Sequence, residues 1–320
     1  MRLMRLLPAP DECYEMPELV SVSVPLRGHG WPGKFMKLPP FEYACPTSLA
    51  EAVALLAAHD GEAKPLAGGQ SLVPMLAFRV AAPSLIVDLR KLNELRQIKI
   101  ADDGVTLGAM VRWRDILGDA RLRQAHPLLV KAVEHVAHYQ IRNRGTVGGS
   151  LAHADPAAEL PGIVITCDAK IAVLGTTGPR VIEAADFFRG PLTTALTSDE
   201  IITEIRFPPW PARRRFGFAE FARRRGDFAL AGAALFYDED GAGRAVNAHA
   251  GAIGVADWPV RLTAVEGVLN GNTIGAATIA SAEAAASAAV DPADDIHAGG
   301  AYRKVLVGVM VERALRSAAA

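Results

Sequence analysis

The chain has 320 residues, half of them hydrophobic, and its 34 basic and 35 acidic side chains nearly cancel. That length supports two or three domains with cores of their own, and the charge balance excludes a protein whose main task is to bind a polyanion such as nucleic acid. Cys13, Cys45 and Cys167 are scattered and form no CxxC pair, which excludes a disulfide framework or a cysteine-ligated cluster and points to a reducing cytoplasm; no uncharged apolar run is long enough to span a bilayer.

In chain order, "MRLMRLLPAPDE" reaches proline and acid before an export-signal core could form. Residues 1–35 show no sustained period and read as a loosely ordered extension. From Met36 the grammar changes. Ser48 and Glu51 predict a capping box, Leu49, Val53 and Leu56 one helix face, and Gly61 the stop. Strands are expected over 84–90 and 104–110 and an amphipathic helix over 126–138. A glycine-rich loop follows over 142–161, then a helix, then a hairpin turning at Gly178 and Pro179. The run 199–211 predicts a closing strand ended by prolines and a boundary near 212. Beyond it, "FGFAEFARRRGDFALAGAALFYDEDGAGRAVNAHAGAIG" alternates as antiparallel strands with a hairpin turn at "DEDGAGR". Helices over about 260–290 and 301–318 complete an α+β unit.

Two stretches carry candidate chemistry. "AGGQS" (67–71) and "TVGGS" (146–150) each set two glycines before a polar donor. Adjacent glycines permit positive φ and let backbone N–H groups converge on an anion. Each alone equally describes an ordinary tight turn. Gly69 and Gly149, eighty positions apart, together suit a ligand with two phosphates held from both sides. Neither is a P-loop, since no GK[ST] follows, and GxGxxG is missing from the strand-to-helix junctions.

Other patterns have plainer readings. Glu134, His135 and His138 give EHxxH, with the wrong histidine spacing for the HExxH zinc helix. "GGSLA" has Ala152 where a GxSxG nucleophile elbow needs glycine, so Ser150 reads as a ligand donor. Arg213 to Arg215 and Arg223 to Arg225 could bind phosphate or an acidic partner, but read first as solvated strand ends. Asp238 and Asp240 lack the remaining ligands of an EF-hand and read as a turn.

In order and spacing, "PLAGGQSLVPMLAFRVA", "IRNRGTVGGSLAHADPAAELP" and "ARRRGDFALAGAA" resemble the FAD-binding medium subunit of molybdenum hydroxylases, the carbon monoxide dehydrogenase and xanthine dehydrogenase family. The resemblance runs from about Met36 to about Ala314. It implies an α+β chain with a vanillyl-alcohol-oxidase (PCMH)-type FAD-binding fold of two α/β subdomains, about 36–88 and 89–212, and a C-terminal domain of antiparallel sheet and helices over 213–320. It implies FAD held by Leu66, Ala67, Gly68, Gly69, Gln70, Ser71 and Leu72 around the pyrophosphate, with Thr146, Val147, Gly148, Gly149 and Ser150 completing the cradle. Asp155 and Glu159 are implied as further FAD contacts, Ile202 as presenting its backbone to the flavin, and Asp227 with Phe228 as lying beside the ring system, where a flat apolar side chain excludes water. Family members often carry a lysine in the strand before that motif. Glu220 stands nearest here, so no cationic contact is carried over.

The resemblance further implies a cytoplasmic heterotrimer, assembled as a dimer of heterotrimers, in which a large subunit holds the molybdenum cofactor and a small one the 2Fe-2S clusters. No catalytic residue and no metal site is assigned to this chain; the cofactor carries the redox chemistry. Two other functions fit the same residues less well: a self-sufficient FAD oxidoreductase, for which no base stands out, and a flavin-free scaffold, which would have no need of both Gly-Gly pairs.

Overall fold

The computed structural model describes residues 38–319 and the backbone of Val20–Ser21. The extension expected over residues 1–35 otherwise lies outside the described residues. Strand β1 (Val20–Ser21) pairs antiparallel with β2 (Glu42–Ala44). Helix α1 (Leu49–Ala58) starts where Ser48 Oγ accepts from the Glu51 N–H at 3.2 Å, while the Glu51 carboxylate accepts from the Thr47 N–H at 2.7 Å. The capping box therefore reaches one residue further back than the sequence pattern predicts.

Strand β3 (Ala63–Leu66), helix α2 (Leu72–Ala77) and strand β4 (Leu85–Asp88) finish the first unit. Its sheet runs β1-β2-β4-β3, with β2, β4 and β3 parallel. All four residues of β4 are buried, as befits a central parallel strand, whereas Pro65 is tolerated because β3 lies at the edge.

The second unit begins with β5 (Ile98–Ala101) and β6 (Gly104–Gly108) and continues through helices α3 (Trp113–Gly118), α4 (Ala120–Ala125), α5 (Pro127–Val133), α6 (Tyr139–Arg142), α7 (Val147–His153) and α8 (Glu159–Thr166). The helix expected over 126–138 is thus half as long. Pro127 opens it and His126 Nδ1 caps the Leu129 N–H, but the chain turns after Val133 and Ala137 takes a positive φ. The expected loop 142–161 is largely helical, because Thr146 caps α7 and turns the second Gly-Gly pair into a helix start. Strands β7 (Lys170–Gly175) and β8 (Gly178–Glu183), helix α9 (Ala184–Phe187), the ribbon β9 (Phe188–Gly190) and β10 (Thr193–Thr194), and β11 (Ile201–Phe207) follow. The hairpin turns at Thr176 and Thr177, not at Gly178–Pro179: Gly175 and Gly178 pair, and Thr176 is tied to Asp199 by two hydrogen bonds. The antiparallel sheet has the order β5-β6-β11-β7-β8.

The last unit contains β12 (Arg215–Phe221), β13 (Ala231–Glu239), β14 (Ala245–Ile253) and β15 (Val260–Arg261), paired in that order, then α10 (Thr263–Leu269), α11 (Ala276–Ala288) and α12 (Gly300–Ala319). The helix expected over 260–290 is therefore two. The period of two on β13 separates two cores. Ala231, Ala233, Leu235 and Tyr237 pack with α10–α12, while Ala234 and Phe236, with Phe218 of β12, join the core built by β6, β7, β11, α5 and α8.

Arg214 fastens this seam. Its guanidinium lies over the Trp210 and Phe236 rings, 5.2 and 4.3 Å from their centroids, and makes two 2.9 Å hydrogen bonds to Asp238. The reading of Arg213 to Arg215 as a solvated strand end fails at its middle residue. Asp240 fills the role expected of it, accepting from the N–H groups of Ala242 and Arg244 in the β13–β14 turn.

Candidate functional site

The two Gly-Gly segments meet. An added Cβ on Gly68 would lie 2.8 Å from the Arg144 carbonyl carbon and 2.9 Å from Gly145 Cα, with the Arg144 oxygen closer still. One on Gly149 would lie 3.6 Å from Ala67 Cβ. Gly68 therefore rests backbone-to-backbone on the turn that leads into α7, with Ala67 beside Gly149. Among the four glycines only Gly69, at φ +72°, occupies the left-handed region. Gly148 and Gly149 are helical; Gly148 is required instead by contact with Ala109.

The segments differ in what they offer a ligand. In the second, the N–H groups are engaged: Val147 with Val111 O, Gly148 with Ala109 O, Gly149 with Thr146 Oγ1 and Ser150 with Thr146 O. In the first, the N–H groups of Gly68, Gly69, Gln70 and Ser71 have no backbone acceptor among the described residues. Gln70 Nε2 donates to Gly68 O at 3.1 Å and braces the loop. Adjacent N–H groups without an acceptor among the described residues are donors of the kind that binds an anionic oxygen. Leu66 ends β3 and Leu72 opens α2, so both ends of the loop are anchored.

Arg144 and Arg112 flank the turn before α7, and no sequence pattern marks either as a site residue. Arg112 bridges to Thr146, and the positive charges of Arg96, Arg114 and Arg144 act on its guanidinium. Burial first, then those charges, lower its proton affinity against the opposing pull of Asp115. These arginines are dispersed in sequence, so no charge run announces them.

Asp155, Asp227 and Phe228 come together in a cleft of about 1000 Å³ between the segment before α8 and the last unit. Asp155 Oδ1 accepts from the Ala157 N–H at 2.9 Å and shapes that wall. Phe228 is 61% exposed beside it, an apolar ring left uncovered at a cleft mouth. Arg223 and Arg224 line the cleft, and Arg223 reaches His297 Nδ1 at 3.0 Å. Arg303, on the floor, donates to the carbonyls of Leu230 and Gly254, both at 2.7 Å.

Ile202 and Glu159 lie deeper. Ile202 is buried on β11 opposite Val173, where the register shifts before Glu204. Glu159 opens α8 with 8% of its surface exposed. Burial first, then the charge of Glu220, push its carboxyl up to about 8. Glu134 pairs instead with Arg123 and Lys131, and His135 with Glu220, so the EHxxH side chains diverge; no group of three or more potential ligands among the described residues could hold a metal.

Glycine loops from two α/β units, closed against each other and flanked by a helix-backed antiparallel sheet, define an FAD-binding flavoprotein subunit. Residues 39–210 match the family described as the FAD binding domain in molybdopterin dehydrogenase, and residues 216–318 the CO dehydrogenase flavoprotein C-terminal domain. The 6-hydroxypseudooxynicotine dehydrogenase complex subunit alpha of Paenarthrobacter nicotinovorans is 37% identical, over 88% of this chain and 96% of its own length. The nicotine 6-hydroxylase medium subunit of the same organism is 38% identical, over 89% and 99%. In the carbon monoxide dehydrogenase structure from Hydrogenophaga pseudoflava, one chain superposes with a TM-score of 0.86 at 36% identity, covering 88% of this chain and 98% of that one. The chain belongs to the family of FAD-binding medium subunits of molybdenum hydroxylases, whose complexes are oxidoreductases with the molybdenum and iron–sulfur centres in other subunits.

Proposed function

We propose that this chain carries electrons from the 2Fe-2S clusters of a small partner subunit, through FAD, to an external acceptor. The electrons would originate at a molybdenum centre in a large subunit, and the assembly would be a dimer of heterotrimers in the cytoplasm, the compartment to which the cysteine pattern points. Residues 36–212 would form the FAD-binding domain and 213–320 the C-terminal domain. The observation that carries this reading is the junction of the two glycine segments, where four N–H groups on the Gly68–Ser71 side have no partner among the described residues.

Those residues fit the cofactor. The N–H groups from Gly68 to Ser71 would bind the pyrophosphate oxygens, and the charges of Arg112 and Arg144 would favour them there. Thr146 to Ser150 would form the opposing wall, with the Ser150 hydroxyl as its available donor. Asp155 and Asp227 would position polar edges of the cofactor, Ile202 would offer backbone to the ring system, and Phe228 would cover one ring face and exclude water. Bound FAD would supply the redox chemistry, while the chain positions, shields and biases it electrostatically.

A visible absorbance spectrum of the purified chain, followed by acid release of the pigment, tests this directly. Flavin bands near one per chain, released as FAD, are expected. A colourless chain that also takes up no FAD when reconstituted with its partner subunits overturns the proposal and favours a scaffold.

A further inference from the structure

The last histidine of the EHxxH stretch, which forms no metal site, has another place in the fold. It lies against the loop that joins β12 to β13. An added Cβ on Gly226 would lie 2.6 Å from His138 Nδ1, with Cε1 closer still, and 3.0 Å from the Ala137 carbonyl oxygen. Gly226 therefore rests directly on the His138 ring, and its φ of +89° bends the chain there just before Asp227 and Phe228. The base of the loop is closed by the Leu230 N–H, which donates to Phe221 O at 2.8 Å. Its apolar tip, Phe228, is left uncovered.

The segment that carries His138 is itself braced. Ala137 holds a left-handed φ of +41°, a conformation unfavourable for a residue with a Cβ and kept only where its surroundings enforce it. Arg142, on α6, enforces it: Nη1 donates to the carbonyls of Val136 and Ala137 at 2.9 and 2.8 Å. At the other end of α6, the N–H groups of Arg144 and Gly145 both return to Ile141 O, at 3.0 and 2.7 Å. Gly68 packs on that turn. One short segment, 137–145, thus touches the first glycine loop at one end and the Gly226 turn at the other, although the two are far apart in sequence.

We propose that segment 137–145 is a spacer that sets the Phe228 turn against the Gly68 loop, with His138 as the positioning residue for the turn. The imidazole acts as a flat prop, by packing and not by charge, and Arg142 fixes the bend from which it projects. The spacer's bearing on the cofactor rests on the FAD reading above, since it would then hold the ring-side wall of the site in register with the pyrophosphate loop. The prop itself does not depend on that reading.

The prop is tested in the full chain without cofactor by limited trypsin digestion, because Arg223, Arg224 and Arg225 are exposed in the propped loop and cleavage there reports local opening. His138→Ala is expected to be cut after these arginines at least fivefold faster than wild type. His138→Phe, which puts a ring of similar shape in the same place, is expected to restore the wild-type rate. Arg244, exposed in the β13–β14 turn, is the control and is expected to be cut at the same rate in all three proteins. An unchanged rate in His138→Ala, no rescue by His138→Phe, or equal acceleration at Arg244 overturns the prop.

The register is read from two affinities in the complex reconstituted with its partner subunits. ADP carries a pyrophosphate and no ring system, so it reaches only the Gly68 side. In His138→Ala the Kd for FAD is expected to rise at least fivefold and that for ADP to stay within twofold of wild type, with His138→Phe restoring FAD. Equal losses for both ligands, or no loss for either, overturn the register. A wild-type complex that binds neither ligand overturns the FAD reading and the register with it, while the digestion still decides the prop.

Discussion

Gly68 is the residue on which the cradle turns. Its α-carbon faces the Arg144–Gly145 backbone, so even one methyl group must push two chain segments apart. Gly68→Ala is expected to cost about 1–3 kcal/mol of stability, the usual range for forced overpacking, and to reduce FAD retention at least tenfold while leaving the helical content unchanged. Flavin titration with a parallel circular dichroism spectrum checks this; full retention would remove the loop contact from the site. Gly149, read from the sequence as a position needing positive φ, is helical, and its nearest obstacle is the movable Thr146 hydroxyl at 2.8 Å. The motif picked out segments that meet in the fold, but the two pairs are glycine for different reasons. That difference arises in tertiary contact, which no local pattern encodes.

At the scale of elements, α12 is more than a cover for the C-terminal sheet. It projects Arg303 inward to the ends of β13 and β14, where one guanidinium nitrogen takes the carbonyls of Leu230 and Gly254 and the other takes Asp295 at 2.6 Å. Arg303→Met would keep the apolar stem and leave two buried carbonyls without a donor. A loss of about 3 kcal/mol is expected in urea unfolding, within the range for removing one partner of a buried charged hydrogen bond; a loss below about 1 kcal/mol would show that water replaces the guanidinium. Neither Arg303 nor the arginines beside Thr146 could be picked from the sequence, since a basic residue on a helix usually faces water. By contrast, β11 with its closing prolines and the alternation of β13 were legible, because period and punctuation are local. The turn after Val133 was not: the residues that follow it pack against distant parts of the chain, His135 against Glu220 eighty-five positions away.

Over the whole molecule, the core does not respect the boundary that the sequence suggests near residue 212. Phe218, Ala234 and Phe236 belong to the same buried cluster as Leu107, Leu128 and Ile205, and Arg214 is clamped between Trp210 and Phe236 across the junction. The C-terminal sheet is thus apolar on both faces, one for its helices and one for the rest of the chain. Thermal unfolding of the full chain is expected to be a single transition, and a fragment covering 213–320 to aggregate or to lack dispersed amide resonances. A folded, soluble fragment would show that the shared core is dispensable.

The meeting of Gly68 with Arg144 also bears on how the protein is made. The first glycine loop leaves the ribosome long before the turn that supports it, and closing a contact over such a separation in sequence carries an entropic cost that only later packing can offset. A growing chain that stops short of Thr146 has the N–H groups of Gly68 to Ser71 but nothing to hold them in register. If the proposed cradle holds the cofactor, its capture would belong to the late stage of biogenesis, after both α/β units have been synthesised and docked, and a truncated product would leave the flavin pool untouched.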